Sequence, residues 1–77
     1  MIKDKSRHLK SYKTLGKNIR NCREEKQFSQ EELAFKIQSA RNYIGCIERG
    51  EKLPSLAIIL DIKNALECKI EDLFKDI

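Results

Sequence analysis

The sequence predicts an all-α chain of five short helices, and three observations carry that prediction. Apolar residues recur at helical spacing, in Leu33, Ala34 and Ile37 and again in Leu56, Ile59, Ile62 and Leu66. One proline and three glycines interrupt 77 residues, too few for an extensive sheet with tight hairpins. Ser29 followed three residues later by Glu32 writes a capping box, in which both side chains satisfy amides that a helix's first turn leaves open.

Each element follows in order. Residues 1–10, MIKDKSRHLK, read as a polar, mobile, basic tail ahead of a domain at 11–77. The first helix is expected from about Tyr12 to Lys26, with Leu15, Ile19 and Cys22 on its inner stripe. Phe28 caps the core where the chain turns into the second helix, Gln30 to Ile37. The third runs from about Arg41 to Arg49, burying Ile44 and Ile47, and Gly50 stands where a left-handed stop is expected. Pro54 and Ser55 open the fourth, since a proline is tolerated in a first turn. A short fifth helix, about Ile70 to Lys75, presents Leu73 and Phe74.

The second and third helices follow one another with almost no connection. Two amphipathic helices joined by so short a turn make a helix-turn-helix, a shape that fits the major groove of DNA. The run SQEELAFKIQSARNYIGCIERGEKLPSL resembles the helix-turn-helix domain of the lambda-repressor/Cro (XRE-type) transcription regulators. The likeness extends upstream through LGKNIRNCRE and downstream through LDIKNALECKIEDLF, and implies a compact, five-helix, lambda-repressor-like DNA-binding domain. RNYIGCIERG, together with the small size, is also similar to controller proteins of restriction–modification systems. Three positions depart from the family pattern. Gln38 and Glu67 stand where Gly is usual, and Ala40 stands where a Ser or Thr cap is common, so Ser39 is expected to cap from one residue earlier.

The resemblance implies roles for particular residues. Gln30, first in the second helix, grips a DNA phosphate, aided by the backbone amides of that helix's first turn. Arg41 and Asn42 read base edges, an arginine suiting guanine and an asparagine adenine, with Tyr43 and Cys46 along the same exposed edge. Arg23 and Glu48 match a structural ion pair between the first helix and the end of the third. Arg49 and Lys52 lie where the loop passes the DNA backbone, and Lys13 and Lys17 extend that track. Gly45, in mid-helix, either lets the helix approach DNA closely or is merely tolerated. The tail's Lys3, Lys5, Arg7 and Lys10 supply either a minor-groove arm or diffuse attraction.

Charge fits this reading. Residues 1–26 carry nine Lys/Arg against three acids, +6, while the remainder carries seven against nine, −2. A basic end on an acidic remainder suits a polyanion bound by one surface. Ile58, Ile70, Leu73, Phe74 and Ile77 exceed what so small a core needs, which points to a homodimer entering two half-sites one helical turn apart. Cys22, Cys46 and Cys68, spaced 24 and 22 apart with His8 the single histidine, form neither a disulfide framework nor a closed metal site. No cofactor is implied, and nothing suits catalysis. The absence of a long apolar run argues against membrane insertion and secretion, and the cysteine usage makes a reducing cytoplasm the natural compartment. The expected function is a sequence-specific regulator of transcription on double-stranded DNA, able to touch RNA polymerase. The alternative is an antitoxin or anti-regulator whose main partner is another protein.

Overall fold

Ser29 starts a helix as its side chain predicts. Its Oγ accepts from the Glu32 amide at 3.0 Å while its own amide donates to Glu32 Oε1 at 2.7 Å. In a computed structural model that describes residues 7–77, this helix is α2, Gln30–Lys36, preceded by α1, Leu9–Glu25. Three more follow: α3 at Arg41–Glu48, α4 at Leu56–Leu66 and α5 at Ile70–Leu73. No strand occurs among the described residues, and none of their helices is long and apolar enough to cross a membrane. The described residues are all-α, as expected. Of the tail's basic residues, Lys3 and Lys5 lie outside the described residues, whereas Arg7 and Lys10 are described and exposed.

The core is one cluster in which Ile19, Leu33, Ile44, Ile47, Ile62, Leu66 and Leu73 are almost wholly buried. Helix α1 packs against α3, α4 and α5, and α2 packs against α3 and α4. Phe28 is half-buried at the cluster's edge, with Lys36 Nζ lying 5.1 Å from its ring centre.

Several expectations need correcting. Helix α1 begins three residues before Tyr12, because nothing in LKS breaks a helix and the Tyr12 amide donates to His8 O at 2.9 Å. Leu9 and Lys10 are therefore helical. Leu56, expected to line the core face with Ile59, Ile62 and Leu66, is 67% exposed at the first residue of α4. Leu73 is the opposite case. Placed on the expected dimer surface, it is 0% exposed and belongs wholly to the core. The buried Asn18 is the reason, donating from Nδ2 to Leu73 O at 2.9 Å and to Lys75 O at 2.8 Å, so that α1 binds the end of α5 down.

Chain direction changes sharply after each of the first four helices, through Gln27 (φ 62°), Gln38 (57°), Gly50 (77°) and Glu67 (55°). Gln38 and Glu67 thus adopt the left-handed geometry that glycine usually supplies, each costing about 1 kcal/mol. Lys26 Nζ bonds Glu67 Oε1 at 2.7 Å beside the last of these turns, and this bond holds the Glu67 carboxyl below its ordinary range.

Candidate nucleic-acid interface

The recognition candidate is α3, and its two sides differ in kind. Ile44 and Ile47 are buried, whereas Arg41 and Asn42 are exposed at its first two positions. Neither polar side chain engages a described residue by a hydrogen bond or an ion pair. Both are therefore available to base edges. Tyr43 and Cys46 are half-buried, and Tyr43 also packs against the core, so they stand at the margin of the exposed side. Ala40, in extended backbone (φ −84°, ψ 145°), is the cap residue, and no side chain bonds the first turn. The expected cap at Ser39 does not form. Its amide instead donates to Ala34 O at 2.8 Å, which commits Ser39 to closing α2.

The position of α3 is set from behind. Arg23 Nε donates to Glu48 Oε2 at 2.7 Å and Nη2 donates to Oε1 at 3.1 Å, a bidentate pair that is almost fully buried. Arg23 Nη1 also donates to Phe28 O at 2.7 Å, so one guanidinium joins α1, the α2 approach and α3. The bond to Glu48 raises the Arg23 pKa further above its already high ordinary value. Gly16 admits this close packing. A Cβ there would stand 2.6 Å from Glu48 O and closer still to Ile47 O, so α1 meets the end of α3 backbone to backbone.

The Glu48 carboxylate has a third donor, Gln30 Nε2, which bonds Oε1 at 3.0 Å. The first residue of α2 is thus tied to the last residue of α3. Arg49 is exposed and pairs with Glu51, Nε to Oε2 at 2.9 Å and Nη2 to Oε1 at 3.1 Å, while Nη2 reaches Cys46 Sγ at 3.6 Å. Lys13 packs against Gly50, where a Cβ would lie 2.6 Å from Lys13 Cγ, so α1 brings a lysine beside the stop of α3. Lys17, one turn on, and Lys52, two residues past Gly50, are exposed. Lys13, Arg49 and Lys52 accordingly border the end of α3, opposite Arg41 and Asn42 at its start.

Residues 19–73, more than half of the chain, match the Helix-turn-helix family HTH_3. The chain belongs to that family. Within it, the chain is 38% identical over 58 residues to the uncharacterized HTH-type transcriptional regulator YazB of Bacillus subtilis, covering 75% of this chain and 84% of that one. It is 33% identical over 57 residues, 74% of its length, to Multiprotein-bridging factor 1 of Candida albicans, of which it spans 38%. Among solved structures it superposes on the restriction-modification controller protein C.AhdI from Aeromonas hydrophila with a TM-score of 0.78 and 38% identity, covering 82% of this chain and 96% of that one. Helix-turn-helix proteins of this XRE type are DNA-binding transcriptional regulators rather than enzymes.

Sequence reasoning missed Asn18, Gly16 and Glu51. Asn18 and Gly16 sit inside an ordinary amphipathic stretch, and only the neighbours they meet mark them. Glu51 carried a weak signal, an acid two residues from Arg49 in a loop assigned to phosphates.

Proposed function

We propose that this chain is a sequence-specific regulator that binds a (pseudo)palindromic operator in double-stranded DNA as a homodimer. The observation that carries the reading is the free, exposed pair Arg41 and Asn42 on a helix whose other side is locked by Ile44, Ile47 and the buried Arg23–Glu48 pair. Arg41 suits guanine and Asn42 adenine, with Tyr43 and Cys46 bordering them. Gln30, Arg49, Lys52, Lys13 and Lys17 take phosphates. Phe74, Ile77 and the half-buried Ile58 and Ile70 provide apolar surface for a second copy, and Leu56 and Leu60, one turn apart on α4, add to it. Occupying a promoter represses by exclusion or activates by touching RNA polymerase, according to operator position. Likeness to C.AhdI makes restriction–modification genes the first targets to try.

A second reading has one observation in its favour. Phe35 on α2 is 83% exposed, and an antitoxin or anti-regulator would cover it with a partner protein. Gel shifts separate the two. The DNA reading predicts selective retardation of a palindromic duplex, with log affinity falling by about 0.9 per log unit of salt for each phosphate neutralised. Equal affinity for every duplex would contradict it.

A further inference from the structure

Gln30 and Arg49 come from different segments and converge over one residue that has no side chain. A Cβ at Gly45 would lie 3.1 Å from Arg49 Nη1, 3.6 Å from Gln30 Oε1 and 3.8 Å from Gln30 Nε2. Gly45 itself is buried beneath them. Gln30 is steadied by its bond to Glu48, and Arg49 is turned by Glu51, which takes Nε and Nη2 with both carboxylate oxygens. No described residue accepts from Nη1, the nitrogen nearest Gly45. A carboxylate held by a guanidinium fork uses the two-oxygen geometry that a phosphodiester also presents. Both partners are more than half exposed, so the pair is weak and open to exchange.

We infer that Gln30 and Arg49 form a single clasp for one backbone phosphate of the duplex across Gly45, and that Glu51, on the Nε–Nη2 edge of the same guanidinium, is an internal counter-ion that competes with this phosphate for Arg49. The inference rests on the DNA-binding reading and deepens it. The bond from Arg49 holds the Glu51 carboxyl below its ordinary range, so the competitor stays charged throughout the neutral range. Glu51 then lowers affinity for every duplex alike, while Arg41 and Asn42 keep the choice among sequences.

Fluorescence anisotropy with a random-sequence duplex, at several salt concentrations, tests this on the full chain. Glu51→Gln should bind about threefold tighter than wild type. Arg49→Gln should bind more weakly, with its salt slope reduced by about one. Glu51→Gln placed on Arg49→Gln should then change almost nothing. Gly45→Ala pushes a methyl group towards Arg49 Nη1 yet favours the helix, so it should weaken binding without lowering the melting temperature. Melting curves of every variant check that each one folds. Equal tightening by Glu51→Gln with and without Arg49 would overturn the clasp in favour of long-range charge, and weaker binding by Glu51→Gln would overturn it as well. If wild type binds no duplex, the DNA reading itself falls; if it binds and the two substitutions are additive, only the clasp does.

Discussion

Asn18 is a polar residue in mid-helix whose amide satisfies two carbonyls at and just past the end of α5, and Arg23 and Glu48 bury a pair to which Phe28 O and Gln30 are also bonded. None of these buried polar side chains lacks a partner, the condition on which polar groups are tolerated in a small core. Removing Glu48 would strand a buried guanidinium, at a cost of about 3–5 kcal/mol. Cys22 makes a different prediction. Burial, with the neighbouring Cys68 adding to it, pushes its thiol from 9.0 up to about 11. The folded state therefore holds this proton where the unfolded chain has lost it. Its contribution is complete below pH 9 and is lost as the pH rises towards 11. Denaturant midpoints of wild type should fall more steeply across that window than those of Cys22→Ala, and parallel curves would contradict the assignment. The inner stripe of Leu15, Ile19, Leu33 and Ile44 was legible because periodicity reports burial. Asn18 and Gly16 were not, because their significance lies in backbone atoms 55 and about 30 residues away.

At the level of elements, the capping box at Ser29 and the stop at Gly50 could be read directly, since both depend on side-chain chemistry within a few residues. Gln38 and Glu67 were legible as turns through family resemblance alone. Gln27, in the same left-handed geometry after α1, carried no mark at all, because nothing about a glutamine records positive φ. Helix α3 is the exception in its start. It opens on Ala40, whose backbone is already extended as a cap requires but which has no oxygen to offer the first turn. Ala40→Ser should therefore stabilise the domain by about 1 kcal/mol, read as a raised urea midpoint with an unchanged slope. No change would mean that the first turn of α3 is satisfied in some other way.

Taken whole, the molecule sets a basic first third against an acidic remainder and leaves large apolar side chains uncovered at Leu56, Leu60, Phe74 and Ile77. The proposed dimer accounts for this surface. Sedimentation equilibrium should show reversible association of wild type and a folded monomer for the double change of Phe74 and Ile77 to Glu; a wild type monomeric at every concentration would remove the dimer from the account. Base reading by the open side of α3 is the central claim, and selection of bound duplexes from a random pool, run in parallel for wild type and Arg41→Ala, tests it most directly. The account predicts that wild type enriches two inverted half-sites about 10 bp apart, and that Arg41→Ala loses the preference at one base position in each half-site while keeping the rest. Enrichment of no motif, or of the same motif by both proteins, would contradict it.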